Sequence, residues 1–230
     1  MIVYGRNAVR EAIRGPRAVF AAWATKSTLR EPWLADAGIE LAAAGPEEIE
    51  QRCGASGHQG VCAEVAPFRY ADAAELVAIP DALIVALDQV QDPQNLGAIC
   101  RTAECAGAAG VVIPERRSVA VTPAVCKASA GAVEHLPVAQ VRNLADFLAQ
   151  AKAAGMWCYG ADADGSVSYD ELDYAGPVVL TLGSEGRGLR PRVAGACDAR
   201  ISIPLRGRIE SLSVSAAGAV LIYAAAGARA

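Results

Sequence analysis

Pro177-Val178-Val179-Leu180-Thr181-Leu182-Gly183-Ser184-Glu185-Gly186-Arg187-Gly188 is an apolar run that stops at a loop holding three glycines, one carboxylate and one guanidinium. A short, continuously apolar run is the pattern of a strand covered on both faces, as in a parallel sheet. Glycine lets a backbone come close to a ligand with no Cβ in the way. The carboxyl ends of strands are also where open α/β sheets bind ligands. Taken alone, the stretch equally fits a tight strand-to-helix turn with no ligand.

The surrounding chain repeats the pattern. Ala82-Leu83-Ile84-Val85-Ala86-Leu87 is a second doubly covered strand, followed by the loop Asp88-Gln89-Val90-Gln91-Asp92-Pro93. Asn95 is read as opening the next helix, to about residue 108, and is placed to cap it through its side-chain oxygen. Within that helix Leu96, Ile99 and Ala103 make the buried stripe, and Arg101 falls on the opposite side, facing solvent or a second surface. Strands are predicted at 110–113, 136–138, 156–159 and 201–203, with helices between them. A last helix at about 213–226 carries the small residues of a core or a subunit interface. Repeated β-α alternation of this kind predicts an α/β fold with a parallel sheet and helices on both faces.

Upstream, residues 1–66 read as a small α/β unit. Helices are expected at 7–14, around 29–37 and from Pro46, with strands at 18–23, 39–42 and 60–65. Residues 67–80 read as a linker with a short helix at 72–77, and 81–230 as the second unit.

Composition narrows the function classes. With 230 residues, 53% of them hydrophobic and 20% charged, the chain is an ordered globular protein. A net charge of −4 argues against a uniformly basic nucleic-acid binder, so an RNA site has to be a local patch. Three clusters qualify: Arg187, Arg190 and Arg192; Arg200, Arg206 and Arg208; and Arg116, Arg117 and Lys127. Singly, each is an ordinary solvated cation. Seven cysteines without a CxxC spacing point to a reducing, cytoplasmic setting. With His58 and His135 as the sole histidines, no metal site is expected. The start, Met1-Ile2-Val3-Tyr4-Gly5-Arg6, lacks the basic and apolar regions of a signal peptide. The uncharged run at 211–228 is too short and too rich in alanine and glycine for a membrane span.

Three stretches at strand ends make the resemblance specific. Asn95-Leu96-Gly97-Ala98-Ile99-Cys100-Arg101-Thr102-Ala103-Glu104-Cys105-Ala106-Gly107 resembles motif one of the SpoU/TrmH RNA ribose 2′-O-methyltransferases, in the SPOUT superfamily. Leu182-Gly183-Ser184-Glu185-Gly186-Arg187-Gly188 resembles motif two. Ile203-Pro204-Leu205 through Ser211-Leu212-Ser213-Val214-Ser215 resembles motif three. Tyr4-Gly5-Arg6-Asn7-Ala8-Val9 and His58-Gln59-Gly60-Val61 resemble the L30e-like substrate-binding domain of the branch that modifies a guanosine of 23S ribosomal RNA.

The resemblance implies a parallel-sheet catalytic domain with a C-terminal trefoil knot, a homodimer, and S-adenosylmethionine as cofactor. It implies a reaction site of Asn95, Arg101, Glu185 and Ser211. Leu182, Gly183, Gly186, Ile203, Leu205, Leu212 and Ser213 would hold the cofactor. Arg6, Asn7, His58 and Arg187 would meet RNA. A guanidinium ordinarily titrates above about 12, so Arg101 suits stabilisation of a developing oxyanion, or a bidentate grip on phosphate, better than the general-base role proposed in this family. Glu185 would orient Arg101 or bond Asn95. One position departs: Ser213 stands where the family usually has Asn, which puts cofactor affinity in question. Three alternatives therefore stand beside a ribosomal RNA methyltransferase: a transfer RNA ribose methyltransferase, a non-catalytic RNA-binding protein, and a small-molecule enzyme on the same sheet.

Overall fold

The computed structural model describes residues 1–184, 186–209 and 211–229. Its first part builds β1 (Ile2–Tyr4), α1 (Arg6–Arg14), β2 (Val19–Ala24), α2 (Pro32–Ala35), β3 (Glu40–Ala43), α3 (Pro46–Cys53) and β4 (Val61–Val65). The four strands form one sheet in the order β1-β4-β2-β3, with β2 and β3 parallel and the other pairs antiparallel. The helix expected around 29–37 is instead a 3-10 turn at Thr28–Arg30 followed by the single turn of α2. Pro32 has no N–H to continue a helix and forces Glu31 into extended backbone, φ −74° and ψ 129°.

The segment read as a linker with a short helix, residues 67–80, packs against its surroundings. The Ala71 N–H donates to the Val138 carbonyl at 2.9 Å, and the Val121 N–H donates to the Tyr70 hydroxyl at 2.9 Å. The short α4 (Ala73–Val77) is capped by Asp72 and buries Leu76. Leu76 lies so close under Gly110 that a Cβ there would meet Leu76 Cδ1 at 2.8 Å.

The remainder alternates β5 (Leu83–Leu87), α5 (Pro93–Cys105), β6 (Gly110–Pro114), α6 (Pro123–Ala128), β7 (Val138–Val141), α7 (Leu144–Ala153), β8 (Trp157–Ala161), β9 (Val167–Ser168), β10 (Val178–Leu182), α8 (Pro191–Ala194), β11 (Ala199–Ser202) and α9 (Val214–Gly227). These strands make a seven-stranded sheet in the order β7-β6-β5-β10-β8-β11-β9, with every pair parallel. All seven carboxyl ends therefore share one edge of the sheet. The strand expected at 136–138 starts two residues later, because Pro137 cannot donate to the ladder; its carbonyl instead accepts the Val111 N–H at 2.9 Å. The strand expected at 201–203 runs over Ala199–Ser202.

Helix packing at the site end uses missing side chains. A Cβ on Gly97 of α5 would fall 2.4 Å from Ala128 Cβ of α6, and one on Gly218 of α9 would fall 2.9 Å from Leu182 Cδ1. The last helix takes the core role that its composition left open. It buries Val214, Gly218, Leu221, Ile222 and Ala225 in the chain's own core, and leaves Val220 and Tyr223 exposed. Four cysteines are buried, and burial pushes the Cys100 and Cys158 thiols up to about 12, so they pack as small hydrophobes.

The two sheets are joined by a buried ion pair. Arg17, just before β2, donates from Nε to Glu134 Oε2 at 3.0 Å and from Nη2 to Oε1, with side chains 7% and 2% exposed. Beside it, His135 Nε2 and Glu11 Oε2 stand 3.0 Å apart, and Lys127 Nζ donates to the Gly57 carbonyl.

Candidate cofactor cleft and reaction site

A cleft of about 420 Å³ opens at the carboxyl edge between β10, β8 and β11. Leu182, Gly183 and Gly186 line it from the glycine loop, and Ile203, Leu205, Ser211 and Leu212 from the segment before α9. Its walls are mostly backbone and aliphatic side chain, as pockets for small ligands usually are.

The glycine loop is closed on itself. The Ser184 N–H donates to the Gly188 carbonyl at 3.1 Å, and the Gly188 N–H donates back at 3.0 Å. Gly183 sits under that closure, where a Cβ would fall 2.2 Å from the Gly188 carbonyl carbon, so no other residue fits. Gly188 takes φ +62°, the left-handed region that side chains avoid.

Both ends of the loop are held by one residue, Asp88, that the sequence reading passed over. The Asp88 N–H, just past β5, donates to the Leu182 carbonyl at 2.7 Å. Its buried side chain accepts the Arg190 N–H at 2.8 Å, Arg190 Nε at 2.8 Å and Arg190 Nη2 at 2.7 Å. A buried carboxylate needs such charge-assisted bonds to offset its desolvation. Asp88 thus fixes where the loop leaves β10 and where it ends.

Motif one is set differently from the sequence reading. The cap of α5 is Asp92, whose Oδ1 accepts the Gln94 N–H at 3.1 Å, and Pro93 occupies the first turn. Asp92-Pro93 is the stronger start signal, since proline at the first helical position loses no hydrogen bond. Asn95 is thereby released from capping. Its Oδ1 accepts the Ser215 hydroxyl at 2.9 Å, and Ser215 Oγ stands 3.2 Å from Ser213 Oγ. Arg101 is exposed, as the helical wheel predicts. Neither Asn95 nor Arg101 is part of the cleft wall. Glu185 lies outside the described residues.

Two family models match the chain: the SpoU rRNA methylase family over residues 82–223, and RNA 2′-O ribose methyltransferase substrate binding over residues 2–71. The chain belongs to the SpoU rRNA methylase family. YacO of Bacillus subtilis, named as a TrmH family tRNA/rRNA methyltransferase, is 38% identical over 233 residues, covering 96% of this chain and 93% of YacO. The crystal structure of the SpoU methyltransferase AviRb from Streptomyces viridochromogenes, in complex with AdoMet, superposes with a TM-score of 0.83 at 25% identity, covering 100% of this chain and 90% of AviRb. An AdoMet-bound rRNA methyltransferase from Sinorhizobium meliloti superposes at 0.81 with 27% identity, covering 97% of this chain and 85% of that one.

Within this SpoU-family chain, Ser213 is not in the cleft wall. It is the N-cap of α9, its Oγ accepting the Ala216 N–H at 3.2 Å. Serine and asparagine are about equally good caps, so the departure from the family pattern keeps its local function. Of the residues expected to meet RNA, Arg6 and Asn7 are exposed at the start of α1, and Arg6 pairs with Glu31 at 2.9 Å. Arg187 lies on the cleft rim. His58, also expected there, is only 8% exposed, and its Nδ1 accepts the Gly60 N–H at 3.0 Å, so it braces the turn before β4.

Asp162 and Asp164 also line the cleft and were missed. They follow β8 in Gly160-Ala161-Asp162-Ala163-Asp164-Gly165, a turn-rich stretch that the same strand-end logic would have flagged. Among the described residues no cluster of potential ligands could hold a metal ion. No helix among them is long and apolar enough to cross a membrane.

Proposed function

We propose that this chain transfers the methyl group of S-adenosylmethionine to a ribose 2′-hydroxyl of RNA, most specifically a guanosine of 23S ribosomal RNA. The observation that carries this reading is the pairing of two matched segments. Residues 2–71 match a 2′-O ribose methyltransferase substrate-binding model and are braced against the SpoU segment by the buried Arg17–Glu134 pair.

The cleft suits the cofactor by its chemistry. Its volume of about 420 Å³ and its aliphatic walls fit an adenosyl group, and the exposed Asp164 carboxylate at its edge suits a cationic ligand. Leu182, Gly183, Gly186, Ile203, Leu205 and Leu212 would hold it. When bound, S-adenosylmethionine supplies an already activated methyl on its sulfonium. The chain then has to orient the ribose hydroxyl and stabilise the charge that develops on its oxygen. Arg101 takes the second task, being exposed and without an ion-pair partner among the described residues. Asn95 is held in place by Ser215, and Ser211 lines the cleft. Glu185 completes the set as the residue that orients Arg101 or Asn95.

The proposal includes residues 1–66 as the RNA-binding unit, a trefoil-knotted path through the segments around the cleft, a cytoplasmic location and a homodimer. Exposure of Val220 and Tyr223 on α9 supports the dimer. Tyr223→Glu is expected to convert a dimer to a monomer in light scattering; a wild-type chain that is already monomeric would refute the dimer.

The function is tested by incubating the protein with labelled S-adenosylmethionine and either transcribed 23S ribosomal RNA or total transfer RNA, then digesting to nucleosides. Label in 2′-O-methylguanosine from the ribosomal RNA supports the full reading. Label from transfer RNA alone would move the substrate, and label on a base would overturn the ribose assignment.

A further inference from the structure

Eight of the 18 arginines of this acidic chain are ion-paired among the described residues, Arg6 and Arg17 as described above. Arg10 and Arg14 lie on Glu11, Arg52 on Glu48, Arg190 on Asp88, Arg192 on Asp146 and Arg200 on Asp162. Three that have no ion-pair partner among the described residues stand together at the carboxyl edge of the second sheet. Arg116 and Arg117 follow β6, and Arg142 follows β7; all three are exposed. The Glu115 N–H donates to the Val141 carbonyl at 2.9 Å, which sets Arg142 beside the start of the Arg116 loop. Glu115 is the one carboxylate within it, so the patch keeps a positive balance.

The loop that carries two of these arginines is built onto the reaction site. Ser118 Oγ and the Val119 N–H both donate to the Val90 carbonyl at 3.0 Å, two residues before the cap of α5. Arg117 is held at φ +60°, a conformation uncommon for a residue with a side chain. The opposite flank of the same edge is mixed in charge, with Arg206 and Arg208 exposed after β11. Asp164, Asp170 and Glu171 are exposed beyond β8 and β9 with no cation on them among the described residues. The cleft lies between this mixed flank and the cationic one.

Resting on the RNA methyltransferase reading, we propose that Arg116, Arg117 and Arg142 form a phosphate-binding track in the catalytic unit itself, separate from residues 1–66. It draws the RNA backbone away from the reaction site across the ends of β5, β6 and β7. Neighbouring strands are about 4.8 Å apart, so arginines just past the ends of β6 and β7 are spaced to meet neighbouring phosphates. On the other side Asp164, Asp170 and Glu171 offset the exposed Arg206 and Arg208, so the track is the stronger draw on the backbone.

The test neutralises the track with the triple variant Arg116→Gln, Arg117→Asn and Arg142→Gln, asparagine being chosen because it tolerates positive φ. Binding to transcribed 23S ribosomal RNA is measured across a salt series, with S-adenosylmethionine affinity as the check on folding. The expected result is at least tenfold weaker RNA binding. The slope of log K against log salt should fall by about 2, for three lost phosphate contacts, at unchanged cofactor affinity. The double variant Asp170→Asn with Glu171→Gln is expected to bind RNA as well as the wild type or better. An unchanged slope in the triple variant overturns the track, and so does an equal loss from either flank. Failure of the methylation assay with the RNA-binding result intact would sink the enzymatic reading and leave the track standing.

Discussion

Arg101 and Asp88 act at the scale of single residues, and in different ways. Arg101 contributes nothing visible to the fold, being exposed on α5 with no partner among the described residues. Arg101→Ala is therefore expected to leave thermal stability and S-adenosylmethionine affinity unchanged while lowering methyl transfer at least 100-fold, the usual loss for one donor to a developing oxyanion. Single-turnover assays beside calorimetry read both; activity within tenfold of wild type would remove Arg101 from the site. Asp88 does not itself line the cleft but holds Leu182, through its backbone N–H, and Arg190, through its carboxylate, at either end of the glycine loop. Asp88→Asn keeps the shape and loses the charge, and is expected to raise the cofactor Kd about tenfold, or about 1.4 kcal/mol, while sparing RNA binding. An unaltered Kd would mean that the loop holds itself.

At the scale of elements, the first turn of α9 carries the clearest expectation. Because Ser213 caps it, Ser213→Ala should cost about 1 kcal/mol in denaturant unfolding, and Ser213→Asn should be nearly neutral. A large gain in cofactor affinity from Ser213→Asn would show that the amide does more than cap. What the sequence made legible follows the same physics. Strands β5, β6, β8 and β10 stand out because burial on both faces leaves continuous apolar runs. Asp92-Pro93 outranked Asn95 as a helix start, and Pro32 broke a pattern that looked helical over nine residues; in both places local proline chemistry overrode periodicity. The motif loops were flagged by their place at strand ends, and the family resemblance made them specific. Asp88 was not, because its partner Arg190 is 102 positions away. No spacing rule connects such a pair, nor does one place β10 between β5 and β8.

For the whole molecule, the decisive feature is that residues 67–80 pack as structure and the Arg17–Glu134 pair seals the junction. Removing one member strands a buried charge, so Glu134→Ala is expected to destabilise the protein by about 3–5 kcal/mol, read as a shift in the urea midpoint. Loss of one of two separate unfolding transitions, with the other unmoved, would show instead that the units fold independently.

The order of the second sheet bears on how the chain is made. While it emerges from the ribosome, β5, β6 and β7 follow one another and can pair at once, since they are neighbours in the sheet. β8 cannot: its partners are β10 and β11, both still unsynthesised. Between the appearance of residue 161 and that of residue 178, the nascent chain carries an unpaired apolar strand and an open edge on β5. Non-local pairing is slow and exposed edges invite misassociation. The two strands that close this gap also frame the cleft, so the growing chain has no cofactor site until nearly all of it has been translated.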